Sequence, residues 1–236
     1  MRRLALSIAF TSSLAAAAAP PQQVDAQYIV TTNGGITIGR ASETFTRKGD
    51  TYSIRSETRS EGVLKTFVDD QFTVESSGRV VKEGLRPLEY NERRAKDNRR
   101  DLKSTFDYKI DVMHTVMRDE PSDAWVPPGT QDRMSIMYQF GHMGELGDML
   151  VIPMADRRRI KTYKWKLVGE ERVTTPAGEF DTRHYQRVIE QIIPGEKETK
   201  VDVWLAKARS NFPVRVIFDD PKGFRLEQTL VSLEMR

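Results

Sequence analysis

The chain has 236 residues, 38% hydrophobic and 30% charged, a balance that belongs to globular proteins and excludes a disordered or fibrous chain. The formal charge is only +3, and two of the positive residues, Arg2 and Arg3, sit in an N-terminal leader, so no global field favours nucleic acid as a partner. The absence of cysteine excludes a disulfide scaffold, thiolate catalysis, a Cys-ligated metal and a lipid-modified cysteine anchor.

The leader comes first in the chain. Met1-Arg2-Arg3 is a basic start, residues 4–14 are mostly apolar, and residues 15–19 are all alanine, ahead of Pro20-Pro21. This order of charged, apolar and small residues is that of a secretory signal peptide, and the apolar part is too short for a permanent membrane span. Cleavage is expected near Ala18 or after Ala26, which leaves residues 27–236 as one exported domain. In a two-membrane bacterium its place is the periplasm. No later segment is apolar enough to span a bilayer.

The rhythm of the remaining chain is period two, broken by turn residues, which predicts antiparallel sheet. A strand over 27–32 runs into the turn Asn33-Gly34-Gly35. Residues 36–46 follow, with Ile38, Arg40 and Ser42 on one face and Phe45 on the other. Beyond Lys48-Gly49-Asp50, residues 51–60 present Arg55, Glu57 and Arg59 to water. Residues 72–81 read as crossing a tight turn at Ser77-Gly78, and Gly84-Leu85-Arg86-Pro87 as a break in the ladder. Residues 106–116 read as one strand, with Phe106, Tyr108, Ile110, Val112, His114 and Val116 on the core face and Asp107, Lys109, Asp111, Met113 and Thr115 facing water. Further strands are expected over 162–174, 179–193, 199–206, 214–219 and 224–233.

One segment departs from this rhythm. Over 130–143 the residues Met134, Met137, Tyr138 and Gly141 recur at helical spacing, widened by Ile136, Phe140 and Met143. Thr130 is placed to cap the start, and Asp132, Ser135, Gln139 and His142 form a narrow polar side. The expected fold is mainly β: a strongly curved antiparallel sheet, an unclosed barrel, with one principal helix at 131–143 packed in its concave face.

Several passages carry a family resemblance: Gly84-Leu85-Arg86-Pro87 with Tyr90; Pro128-Gly129-Thr130-Gln131-Asp132-Arg133-Met134-Ser135 with Tyr138-Gln139; Val168-Gly169-Glu170-Glu171 through Thr175-Pro176-Ala177-Gly178-Glu179-Phe180; and Val203-Trp204-Leu205-Ala206 with Phe212-Pro213-Val214-Arg215. In this order they resemble the exported bacterial family known as domain of unknown function 3108. The resemblance implies an envelope protein and no catalytic residue. It also implies a layout similar to the lipoprotein-localisation carriers, unclosed β-barrels with helices on the concave side that bind acyl chains.

The residues that could do chemistry are sparse. His114, His142 and His184 stand at no metal-binding spacing from one another. Asp132, Ser135 and His142 share a helix face, but seven helical residues place Ser135 and His142 about 10 Å apart, too far for a nucleophile and its base. No Gly-x-Ser-x-Gly elbow is present. Neither a metal nor a cofactor is expected.

Two basic clusters stand out. Arg93, Arg94, Lys96, Arg99, Arg100 and Lys103 are interleaved with acids, whereas Arg157, Arg158, Arg159, Lys161, Lys164 and Lys166 are nearly free of them. The second is either a rim that attracts anionic head groups or a solvated sheet face. The leading expectation is a non-enzymatic periplasmic binder or carrier of an amphipathic, acyl-bearing envelope ligand. Met134, Met137, Tyr138, Tyr163 and Trp165 would line its groove, and Arg157, Arg158, Arg159 and Lys161 would hold the head group. At about 0.8 kcal/mol per methylene, a twelve-carbon chain would gain roughly 10 kcal/mol before association costs. The rival expectations are an assembly protein that recognises an envelope protein or peptidoglycan through its surface, its interior self-filled, and a hydrolase built on Ser135, His114 or His184.

Overall fold

The computed structural model describes residues 20–62, 71–189 and 198–236. The leader at residues 1–19 and the last residues of the strand expected over 179–193 lie outside them. Among the described residues fourteen strands make one antiparallel sheet. From its middle, β1 (Gln23–Thr32), β2 (Ile36–Lys48), β3 (Thr51–Ser60), β4 (Gln71–Val81), β5 (Gly84–Arg94), β6 (Leu102–Asp107), β7 (Val112–Met117) and β8 (Glu120–Trp125) step outward to one edge. From the other edge, β9 (Met149–Asp156), β10 (Arg159–Thr175), β11 (Gly178–Val188), β12 (Lys200–Ala206), β13 (Phe212–Asp219) and β14 (Arg225–Met235) step back, until β14 pairs with β1.

This topology decides where the interesting segment lies. The first and last strands meet in the centre, so the edges β8 and β9 are consecutive in sequence, and residues 126–148 must carry the chain from one edge to the other. The margins also touch. At the β9–β10 turn, Thr115 donates to the carbonyl of Arg157 at 3.4 Å, and the Arg158 guanidinium reaches the Met117 carbonyl at 2.8 Å and Glu120 at 2.7 Å. The sheet thus bends until its ends meet at one point, yet β8 and β9 do not pair and it stays open. Each edge strand carries a proline, Pro121 in β8 and Pro153 in β9, which removes a donor that would invite another strand.

Several boundaries differ from the sequence expectation, each for a local reason. Residues 72–81 do not turn at Ser77-Gly78. They form the single strand β4, with a bulge in which Leu88 of β5 is the extra residue between Ser77↔Glu89 and Gly78↔Pro87. A side chain at Gly78 would lie 2.1 Å from the Arg86 carbonyl, so glycine is what permits this close approach. The bulge also absorbs Pro87, and Gly84–Arg94 is a strand rather than a break.

Residues 106–116 are two strands, not one. Asp111 turns the chain at φ +55°, and the four turn residues shift the parity, so Phe106 and then Met113 and Thr115 face inward. Ile110, His114 and Val116 are exposed, the reverse of the expected core face. The helix is also shorter than expected: α1 spans Ser135–Gln139. Gln131 cannot be helical because it pairs with β9, donating to the Pro153 carbonyl and accepting from Ala155, each at 2.8 Å. Nor does Thr130 cap α1; its hydroxyl bonds the Pro127 carbonyl at 2.6 Å.

The core has two clusters. Around β1–β7 and β13 it gathers Phe45, Tyr52, Ile54, Phe106, Met113, Tyr138 and Phe212; around β9–β12 it gathers Ile136, Phe140, Leu150, Trp165, Tyr185 and Val203. Residues 134–140 contribute to both, with Met134 and Tyr138 in the first and Ile136 and Phe140 in the second.

Candidate functional site

The crossing segment brings an unusual amount of buried polarity into this core. Asp132 is fully buried, and one of its oxygens accepts the N–H groups of Met134 and Ser135, each at 2.8 Å, which starts α1. Its other oxygen accepts from Ser76 of β4 at 2.6 Å, and Ser76 in turn meets Tyr52 of β3 at 3.2 Å. Burial pushes the Asp132 carboxyl up to about 6, against the pull of these hydrogen bonds. Ser135 accepts from the Asp132 N–H at 2.9 Å and donates to the Asp132 carbonyl at 3.3 Å.

A second buried acid faces the same segment. Glu43 of β2 accepts from Ser56, its cross-strand partner, and from Tyr138 of α1, both at 3.3 Å. Burial raises its carboxyl to about 7, with the two hydrogen bonds opposing. Sequence reasoning missed Glu43, although a signal was present: in period two it falls on the face of Phe45, so a charged residue occupies a core position.

Two glutamines fasten the segment to β5 at one residue. The Gln131 amide donates to the Leu85 carbonyl at 2.7 Å, and the Leu85 N–H donates to the Gln139 amide oxygen at 2.7 Å. Gln139 also donates to the Glu83 carbonyl at 3.0 Å. Arg133 completes the attachment by bonding Asp156 of β9 at 2.8 Å and lying 3.5 Å from Glu92 of β5.

The apolar candidates take their places in packed surroundings. Tyr138 stacks on Phe45, ring centroids 5.0 Å apart, and meets Phe212 edge-on at 5.7 Å. Met134 is buried with it, and Met137 is half-buried. The gap beside Met137 and Tyr138, bounded by Val24, Phe45, Phe212 and Met235, holds about 10 Å³, room for one water at most. Trp165 is 2% exposed and packs edge-on against Phe140. Tyr163 lies beneath the Arg187 guanidinium, 3.7 Å from its ring centre. The structure thus brings Met134 and Tyr138 together in one cluster, leaves Tyr163 and Trp165 in the other, and packs Met137 against both.

The basic candidates spread along the β9–β10 turn. Arg157 and Arg159 are exposed, Arg158 is committed to Glu120 and Met117, and Lys161 pairs with Glu198 at 2.8 Å. Glu198 also accepts from Arg187; burial opposes, but these two cations hold its carboxyl below the usual range. From the other basic cluster, Arg99 and Arg100 face Arg118 across a cleft that also contains Asp97 and Asp119.

The histidines do not converge. His114 meets Asp123 at 2.8 Å, His142 bonds the Tyr138 carbonyl at 3.0 Å, and His184 meets Asp202 at 2.6 Å while stacking on Trp204. No group of three or more acidic or histidine side chains placed to hold a metal occurs among the described residues. Ser135→Ala is expected to cost about 1–3 kcal/mol of stability, because it leaves the buried Asp132 N–H at the start of α1 without a partner. Urea unfolding followed by circular dichroism measures this.

The model of a family described as protein of unknown function, DUF3108, matches residues 27–229. The chain belongs to this family. No curated protein matches it in sequence. In three dimensions it is similar to a β-barrel-like protein of domain of unknown function DUF1849 from Brucella abortus, at 12% identity and a TM-score of 0.60, over 93% of this chain and all of that one. That likeness is one of fold. Looser overlaps occur with a candidate lipoprotein from Parabacteroides distasonis, with 11% identity, 91% and 97% coverage and a TM-score of 0.39, and with a candidate exported protein of YmcC-like fold from Bacteroides fragilis, with 10% identity, 92% and 97% coverage and a TM-score of 0.36.

Two of the passages that resemble DUF3108 in sequence are in contact in the structure. Gly84-Leu85 is where Gln131 and Gln139 attach, and Gly129 through Ser135 supplies the β9 bridge and the start of α1. In this DUF3108 chain these two passages form the clamp between the crossing segment and the sheet.

Proposed function

We propose that the chain is a non-enzymatic protein of the cell envelope, an open β-sheet plugged by its own crossing segment, which recognises its ligand at its surface. On this reading α1 sits in the concavity and fills the place where a carrier would hold an acyl chain. The observation that carries it is the 10 Å³ gap beside Met137 and Tyr138. A guest of several methylenes needs far more room than one water, and the candidate lining is already in contact with the protein's own rings. The self-filled alternative is thus better supported than the carrier.

The envelope address rests on the leader. β1 begins at Gln23, and Val24 within it is fully buried, so cutting after Ala26 would remove the first residues of a central strand, Gln23 to Ala26. This favours cleavage near Ala18. Among the described residues no helix is long and apolar enough to cross a membrane. Ser135 as an element of the α1 start, and the three separated histidines, support a binding role over a hydrolytic one.

The test is extraction of natively purified mature protein for mass spectrometry, with titration of a fluorescent fatty acid. No fatty-acid uptake into the gap beside Met137, that is, none that Met137→Trp abolishes, is expected. Stoichiometric uptake that Met137→Trp abolishes would overturn the surface reading in favour of a carrier.

A further inference from the structure

The β5 bulge has a consequence on the outside of the sheet. Pairing between β5 and β6 covers only Glu89↔Thr105 through Glu92↔Leu102. Beyond Glu89 the extra residue Leu88 bends β5 away, while β6 continues through Phe106 to the turn at Tyr108. The two strands splay, and a cleft of about 620 Å³ opens between Arg86 and Leu88 on one side and Thr105 through Lys109 on the other. The cleft is broad and open to solvent, so it suits a group bound at the surface and not an engulfed one.

Its lining has two characters. The apolar part consists of Leu88 and the ring of Tyr108, which stacks on the core residue Phe106 behind it, centroids 6.3 Å apart. The Tyr108 hydroxyl is buried and has no hydrogen-bond partner among the described residues, so only the ring of Tyr108 is offered to the cleft. The polar part is cationic. Arg79 is matched by Asp50 at 2.7 Å, and His114 by Asp123 at 2.8 Å. Arg86 and Lys109 have no carboxylate partner among the described residues. Arg86 instead lies 5.5 Å from the Tyr108 ring centre, and the one lining acid, Asp107, turns an oxygen to the Lys109 backbone N–H at 2.9 Å.

We propose that this cleft is a binding site for a small anion, carboxylate or phosphate, borne on a compact, partly apolar body. Arg86 offers a planar fork to the anionic group, Lys109 a mobile point charge, and Leu88 with the Tyr108 ring covers the body. This rests on the surface-binding reading above and names its site. Two sources share the chemistry: a phosphorylated lipid head group and an acidic sugar of an envelope glycan.

Calorimetric titration of the mature chain with dodecyl phosphate below its micellar concentration, and separately with glucuronate and glucose 1-phosphate, distinguishes them. At least one probe is expected to bind with a dissociation constant at or below about 1 mM. Affinity should fall tenfold or more in Arg86→Gln and severalfold in Lys109→Gln, and weaken as salt rises from 50 to 300 mM. Arg118→Gln, in the other basic cleft, should leave it unchanged. Binding by dodecyl phosphate alone assigns a lipid source, and binding by the sugars alone a glycan.

No binding by any probe, or binding that both Arg86→Gln and Lys109→Gln retain in full, overturns the site. Lys109 is an exposed turn residue, so its variant stays informative if Arg86→Gln folds poorly. The surface reading itself falls on a different result, uptake of fatty acid that Met137→Trp abolishes, so the two can fail independently.

Discussion

Replacing Gly84 by alanine is expected to destabilise the protein by about 2–6 kcal/mol. Two costs combine. Gly84 has φ +117°, a conformation that L side chains rarely adopt, and forcing one there costs of order 1–3 kcal/mol. A Cβ at this position would also stand 2.3 Å from the Gln139 amide oxygen. Gln139 must then withdraw, leaving the Leu85 N–H buried without a partner, a loss of about 1–3 kcal/mol. Gln139→Ala alone removes the hydrogen bonds without the strain, so it is expected to cost less. The double variant should cost clearly less than the sum, because alanine at 139 makes room for alanine at 84. Urea midpoints for the three variants decide this; strict additivity would show that Gly84 and Gln139 do not share a clamp.

That clamp also marks how far the sequence could be read. Residues 51–60 were legible because one face is uniformly polar, Arg55, Glu57 and Arg59, and the other holds Tyr52 and Ile54. The same counting failed over 106–116. A turn that uses Asp111 rather than glycine at positive φ gives no break in the pattern, and a parity carried across it inverts every later residue. Pro87 misled for a related reason, since a bulge lets a strand keep its proline and no local signal announces a bulge.

The helical spacing over 131–143 extends beyond the helix itself, Ser135–Gln139, at both ends. Periodicity reports apolar spacing, whereas the conformation of Gln131 is set by a bridge to β9, more than twenty residues later in the chain. The candidate apolar residues were legible as buried, but burial alone does not separate a lining from a core. That distinction depends on what stands opposite: Phe45 and Phe212 for Tyr138, and Phe140 for Trp165.

Glu43→Gln is expected to raise stability by about 3 kcal/mol at pH 8 and to change it little at pH 4. The native carboxyl titrates near 7 because burial disfavours its charge, against an ordinary value of 4.5 in the unfolded chain. The folded state therefore holds this proton more tightly than the unfolded state. The stabilisation is complete below about pH 4.5 and is lost as pH rises through 7. A gap of about 2.5 pH units corresponds to about 3 kcal/mol.

Glutamine keeps the shape and can still bond Ser56 and Tyr138, but it cannot ionise, so it escapes the alkaline cost. Asp132 obeys the same sign in a lower window, its proton lost between its ordinary 3.8 and about 6. The parent protein is thus expected to be most stable in mild acid and to weaken in two overlapping steps up to pH 8, with Glu43→Gln removing the upper one. Glu43 meets the crossing segment through Tyr138, and Asp132 lies within that segment at the start of α1, so ionisation of either acts on the attachment of the segment to the sheet. Urea unfolding at pH 4, 6 and 8 measures the slopes. A Glu43→Gln protein whose stability falls as steeply between pH 6 and 8 as the parent's would show that Glu43 is already charged in the folded protein.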